Sequence, residues 1–498
     1  MIKTVTNELN ELIKKQSQES VLLIKEFFAD FNNHCLISKK ETKKIREDFE
    51  KAIVYYLDNG VPVERALQLL DVKKLGAFYS RTTTPWFALD DAAKIYPLSL
   101  EHGGMAVFRL SVYLNEQINP ILLQMALNFT IKRFPSFATT IKAGFFWHYL
   151  DTAKRRFTVE PEQYIPCKPL KVSHSNSQSF RVLYFNNRIS IEFFHVLTDG
   201  TGGVAFLKVL AAEYLRLRMV KIDKDENLWD VDQIPSASEL ENAFAKVSKT
   251  KKVSGFVDKV ALQMSGKLSK TRPCQVIHFK MDSQTLKEAA KKYDCTVSAY
   301  ILACMFIAAK ASTDRMSGDI SIQVPVDIRK YYSTNTVRNF SMYCGVRLSV
   351  EEIDDVCSII EKIIIQLKEK TEKDVMSQMV TATENLVNGL KLVPLIIKQP
   401  ITKLVGGVLG DKIFTTTLSN LGVIKIPESM TPYVESMDFV LGPGLTNRAN
   451  CGLITVNGVT TLTIVKITVD PTFEDKIYSI LTESGVKLCV EGSSIYED

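Results

Sequence analysis

The feature that most constrains this chain is a change of hydrophobic period inside one short window. From Phe180 the residues alternate through F-R-V-L-Y-F, meet Asn186-Asn187, and alternate again through R-I-S-I-E-F-F. Asparagine tolerates the positive φ of a two-residue turn, so this reads as a β-hairpin. Past His195 the period lengthens. Val204, Phe206, Leu207, Leu210, Ala211, Tyr214 and Leu215 recur at helical spacing, with Gly200, Gly202 and Gly203 in the junction. A hairpin that runs straight into a helix rules out all-α and all-β folds and points to α/β.

The rest of the chain repeats the mixture. Residues 1–75 read as a helical appendage: Ser38 and Glu41 begin a helix running to Tyr56, D-N-G at 58–60 stops it, and Val63–Leu70 follows Pro62. Met105–Leu114 reads as a strand, and a helix follows Asn119-Pro120. Residues 222–256 are charged, lack a period, and read as a connector. In the second half Val276–Met281 is a strand, Asp282–Tyr293 a helix, Ser298–Ala311 a helix apolar all round, and Ile320–Val326 a strand ending at Pro325. A last hairpin turns at Asn457-Gly458. The sum is mixed or antiparallel sheets in two lobes. The expected divisions are 1–75, 76–235 and 236–498, since 498 residues exceed a single ordinary core of ~100–200.

Bulk properties exclude several classes. The net charge of +6 arises from 62 basic and 56 acidic residues, with no basic tract interleaved with aromatics, so no nucleic-acid partner is expected. Nine cysteines without a C-x-x-C suggest reduced thiols in a cytoplasmic protein rather than a zinc ribbon. No run of ~18 uninterrupted apolar residues predicts a spanning helix. The nearest stretch, Leu390–Gly410, is broken by Lys and Pro. It reads as a buried helix pair or tunnel wall, with membrane-surface contact as the alternative. D-G-T-G-G matches no phosphate-loop pattern, which excludes nucleotide hydrolysis and dinucleotide binding.

The chemistry concentrates at E-F-F-H-V-L-T-D-G. Alternation places His195 on the inward face with Ile189 and Ile191, at a strand end. Neutral imidazole can accept a proton near pH 7 if its tautomer is held. Asp199 could fix the loop by pairing with an arginine. The alternative is a hydrogen-bonded core histidine beside an ordinary helix cap.

In this setting F-H-V-L-T-D-G-T-G-G (residues 194–203) resembles the H-x-x-x-D-G signature of the CoA-dependent acyltransferase superfamily. That group includes chloramphenicol acetyltransferase, peptide-synthetase condensation domains, plant acyltransferases and alcohol acetyltransferase-like proteins. The resemblance is strongest to the last branch and spans residues 76–480. Asp90–Ser99, Arg133–Leu150 and T-L-S-N-L-G (residues 417–422) also carry it.

The resemblance implies two similar chloramphenicol-acetyltransferase-like lobes, mixed sheets flanked by helices, with a tunnel between them. His195 matches the family's general base, Asp199 the aspartate that shapes the loop, and Gly200 the glycine after it, where bulk would crowd the tunnel. Arg329, in P-V-D-I-R, is the expected partner of Asp199, with a surface pair to Asp327 as the alternative. Phe194 stands where condensation domains usually carry a second histidine, which favours free acyl-CoA as co-substrate over a carrier-protein-bound phosphopantetheine thioester. The plant D-F-G-W-G motif is absent. Near its place stand Ser419 and Asn420, the latter a loop anchor, a donor to the thioester oxygen, or a plain turn residue. Ser341 and Tyr343 are expected to line the tunnel. The implied function is transfer of an acyl group to a small-molecule alcohol or amine, with no metal, no tightly bound cofactor and no covalent intermediate. The rival is a non-catalytic binding protein on the same fold.

Overall fold

The computed structural model describes residues 2–80, 86–94, 96–97, 106–153, 155–170, 179–250, 259–398, 411–444 and 446–496. Four helices open the chain: α1 (Ile2–Lys14), α2 (Gln18–His34), α3 (Lys39–Asp58) and α4 (Val63–Leu69). The Ser38 hydroxyl accepts the Glu41 amide at 3.5 Å to begin α3. Gly60, at φ 73°, turns the chain after it in a conformation cheap only for glycine. These helices share one continuous core with the first sheet. Phe49 meets Phe129 edge-on at 5.9 Å. Buried Asp48 accepts from Arg156 (2.7 and 2.8 Å) and from Asn128 (3.0 Å). Tyr56 donates its hydroxyl to the Leu217 carbonyl at 2.6 Å.

Three sheets follow. The small one runs β1 (Trp86–Ala88), β4 (His148–Thr152), β3 (Thr139–Ala143). The five-stranded one runs β12 (Val434–Val440), β2 (Val107–Leu114), β7 (Arg188–Phe194), β6 (Phe180–Phe185), β5 (Val159–Pro161). Its apolar face packs on α5 (Pro120–Thr130) and α6 (Gly200–Leu217), as Phe193 against Phe206 illustrates. Its other face buries Arg109, Ser111, Ser190, Glu192 and Asp438. There Arg109 pairs with Glu192 and Glu162, both at 2.7 Å, which satisfies charges that would otherwise be costly. The strand β12 lies far along the chain, beyond residue 236, yet pairs antiparallel with β2.

The seven-stranded sheet is mixed: β10 (Ser341–Ser349), β9 (Asp319–Asp327), β11 (Thr416–Val423), β13 (Ala449–Val456), β14 (Val459–Lys466), β8 (Gln275–Asp282), β15 (Leu488–Gly492). Its core is closed by α8 (Ser283–Lys291), α9 (Val297–Ala311), α10 (Val356–Lys370) and α12 (Thr472–Glu483). α9 is buried from Ala299 to Ala309, as a helix apolar all round must be.

Three expectations change. The strand expected to end at Pro325 continues to Asp327, because β10 pairs with β9 along its whole length. What does end is the pairing of β9 with β11, confined to Ile322 and Gln323. Beyond it Pro325 has no amide hydrogen to offer a second neighbour, and the two strands part. The described part of the expected connector is pinned rather than loose. It holds α7 (Ala237–Leu240), Trp229 stacks on Phe134 at 5.9 Å, and Glu239 pairs with Arg133. The apolar stretch from Leu390 is described only to Lys398; residues 399–410 lie outside the described residues. It follows α11 (Lys373–Gly389). Leu395 packs inward while Leu392 and Ile396 stand 80% and 83% exposed, because a single short turn can bury only one side. No helix among the described residues is long and apolar enough to cross a membrane.

Because residues 1–75 share the first sheet's core, they should unfold with it. Asp48→Ala leaves Arg156 without its buried partner and should cost about 3 kcal/mol in urea unfolding, within one coincident transition by circular dichroism and fluorescence. A separate early transition for the helices would contradict the shared core.

Candidate active site

β7 delivers His195 at its end, where its backbone amide donates to Ala106 at 2.8 Å and prolongs the pairing with β2 by one residue. The imidazole is half-buried on the wall of a cavity of about 550 Å³. The cavity lies between elements of the two large sheets: Phe108 and Phe439 on one side, Pro325, Tyr343, Thr417 and Ser419 on the other. Pro325 and Thr417, where the pairing of β9 with β11 ends, are both on its wall.

Three side chains hold the ring. Tyr96 stacks on its face at 4.9 Å between centroids, and Phe108 meets it edge-on at 5.2 Å. Asn339 grips it twice: its Nδ2 donates to the His195 carbonyl at 2.6 Å, and its Oδ1 faces ring Nδ1 at 2.8 Å. The first contact settles which end of the amide is nitrogen, because a carbonyl only accepts. Oδ1 therefore accepts from Nδ1–H, and the lone pair of the neutral ring is left on Nε2. Nε2 has no hydrogen-bond partner among the described residues. Burial pushes the imidazole below its ordinary value of 6.5, opposed by its own carbonyl, Asp199 and Asn339.

Asp199 does not touch His195. Its backbone starts α6, and Oδ1 caps the Gly202 amide at 3.2 Å. Arg329 binds both its oxygens, at 2.8 and 3.1 Å, while also reaching Asp327 at 3.0 Å, so both pairings weighed for this arginine occur together. Arg329 Nε donates to the Thr336 carbonyl at 3.0 Å, and two further contacts flank Asn339. Asp199 Oδ2 accepts the Phe340 amide at 2.8 Å, and Arg329 donates to the Arg338 carbonyl at 2.6 Å. The ion pair thus holds the backbone on either side of the residue that meets the imidazole.

Gly200 stands opposite Leu421 of β11, whose Cδ2 a β-carbon would meet at under 3.0 Å. Gly202 is tighter still, because there the obstacle is the Val337 backbone carbonyl. Ser341 and Ser419 line the cavity, and their hydroxyls have no partner among the described residues. Tyr343 also lines it, edge-on to Phe414 at 5.8 Å, with burial raising its phenol to about 12. Asn420 lines the cavity too: one Nδ2 hydrogen goes to Ser298 at 2.7 Å and Oδ1 accepts the Gly422 amide at 2.7 Å. In this arrangement it bridges the irregularity in β11 between Asn420 and Val423 and ties it to Ser298, from a place on the cavity wall. No cluster of three metal-ligating side chains occurs among the described residues.

Sequence reasoning missed Asn339 and Tyr96 as neighbours of the ring, and placed Gly202 only within the glycine junction. R-N-F-S-M-Y directs attention to Ser341 and Tyr343, and only the neighbouring asparagine reaches the ring.

Residues 169–483 match a family model described as alcohol acetyltransferase. No curated protein matches the chain. Among solved structures, polyketide synthase associated protein 5 from Mycobacterium tuberculosis superposes with a TM-score of 0.55 at 12% identity, over 79% of this chain and 97% of that one. The TRI3 trichothecene 15-O-acetyltransferase from Fusarium sporotrichioides gives 0.51 at 13%, over 81% and 96%. A mutant starter condensation domain of rhizomide synthetase, in complex with C8-CoA, gives 0.52 at 12%, over 80% and 94%. At these identities the likeness to the solved structures is one of fold.

The two glycines should respond differently. Gly202→Ala forces its β-carbon into backbone and should lower the melting temperature by several degrees, on the order of 2 kcal/mol. Gly200→Ala should leave the melting temperature within about 2 °C, because a leucine side chain can yield. It should still weaken ligand binding in the cavity, and adding Leu421→Ala should restore that binding.

Proposed function

Because the chain belongs to the alcohol acetyltransferase family, we propose that it moves an acyl group from free acyl-CoA to a hydroxyl or amino acceptor, with His195 as general base. The observation that carries this reading is the Asn339 contact, which leaves the lone pair of Nε2 unpaired on a cavity wall. An imidazole that only filled the core would have both nitrogens engaged or sealed.

The acceptor oxygen or nitrogen forms a bond to the thioester carbonyl carbon while its proton passes to Nε2. The carbonyl electron pair moves onto oxygen, and the unpartnered hydroxyls of Ser341 and Ser419 are the donors available to it. Collapse breaks the C–S bond, and the departing thiolate takes the proton from Nε2–H. The ring ends neutral, with no covalent enzyme intermediate and no oxidation or reduction. Asp199 and Arg329 act as positioning residues through Asn339.

His195→Ala should lower transfer from a panel of acyl-CoA donors by roughly 10²–10⁴, with the melting temperature preserved. Equal rates would remove His195 from the mechanism. Running the same acceptors with acyl-phosphopantetheine on a carrier protein distinguishes the donor.

The pH profile gives a second test. Only unprotonated Nε2 can accept a proton, so activity falls below the ring's pKa. Burial lowers that pKa, which places the acid limb of kcat/KM below pH 6.5. Asn339→Asp puts an anion on Nδ1–H, stabilises the imidazolium, and should move the limb to higher pH. Asn339→Leu should lower kcat about 10–100-fold, as loss of an orienting partner commonly does. An acid limb unmoved in Asn339→Asp would mean that Asn339 does not contact the base in solution.

A further inference from the structure

Residues 88–96 contain a buried carboxylate that the cavity does not use. Asp90 is fully buried and absent from the cavity wall. Its Oδ1 accepts the Ala93 amide at 2.9 Å, and its carbonyl accepts the Lys94 amide at 3.1 Å, closing the turn that precedes Tyr96. Tyr96 is the ring stacked on His195. The other oxygen, Oδ2, lies 3.6 Å from Arg338 and makes no hydrogen bond among the described residues. Arg338 is itself 5% exposed, donates to the Ala88 carbonyl, and immediately precedes Asn339.

A buried carboxylate with one oxygen unsatisfied is costly, and such a group calls for a reason. Here the reason is positional. The carboxylate stands between the two arms that hold the base: one leads through the turn to Tyr96 on the ring face, the other through Arg338 to Asn339 on Nδ1. We propose that Asp90 is a positioning residue for His195, holding Tyr96 through its own turn and Asn339 through the charge of Arg338. This rests on His195 being the base. Burial lifts Asp90 to about 6, opposed first by Arg338, which agrees with a group whose charge is held in place by that one partner. Asp199 and Asp91 are the other charged groups acting on it.

The test is Asp90→Asn in the full chain. The amide keeps the oxygen that caps Ala93 and removes the charge facing Arg338. Long-range ¹⁵N NMR of histidine-labelled protein, assigned with His195→Ala, reads the tautomer of His195 without any turnover. Wild type should show Nδ1–H alone, and Asp90→Asn should show a mixture with Nε2–H. In the acyl-transfer assay kcat should fall about tenfold with KM within twofold. Added to Asn339→Leu, Asp90→Asn should cost nothing further, because both act on one contact. An unchanged tautomer, or two kcat losses that multiply, would overturn the proposal. Because the tautomer is read directly, the proposal is decided even if no acyl acceptor is found. Should Asp90→Asn fail to fold, Asp90→Asn/Arg338→Gln removes both charges together and is judged by the same NMR outcomes.

Discussion

The two-pronged ion pair between Asp199 and Arg329 is the contact on which the site depends. It joins the first turn of α6, which follows the strand leading to His195, to the segment after β9 in the other sheet. Both groups are largely buried, so each would be expensive alone, and the arrangement is stable only when complete. Its spare contacts fall on the backbone of Arg338 and Phe340, and that places Asn339 against the imidazole. An aspartate four residues past the histidine thus holds the backbone beside the asparagine that meets the ring, without touching the ring itself.

The state of that ring follows from polar bookkeeping around it. The histidine carbonyl obliges Asn339 to present its nitrogen there and its oxygen to Nδ1, and one tautomer results. Tyr96 and Phe108 close the ring's flanks with apolar surface, which disfavours the charged form. A neutral ring with one free nitrogen follows from these neighbours before any substrate is considered. The pairing of β9 with β11 stops short of Pro325, which cannot donate, and Pro325 stands on the wall of the same cavity as the ring.

Much of the fold was legible because it is local. Asn186 and Asn457 both adopt positive φ in their hairpin turns, and the change to helical spacing after Gly200 marks the start of α6. The histidine, aspartate and glycine of the site stand close together in the chain, so a short pattern could expose them. Asn339 was not legible. It lies 144 positions from His195, and one asparagine in a loop carries no sign of which distant ring it meets. Asn420 shows a middle case: the pattern put it on the cavity wall, but not its contacts to Ser298 and, within β11, to Gly422.

The sequence by itself determined the α/β alternation, the strand that ends in His195, the glycine junction behind it and the acyltransferase resemblance. These rest on residue spacing and backbone preference, which act over a few residues. Only the tertiary structure decided that β12 crosses into the first sheet, that the N-terminal helices share its core, and which nitrogen of His195 is free. Those outcomes require contacts between segments far apart in the chain, 144 residues for His195 and Asn339, and their geometry exists only once both sheets have packed.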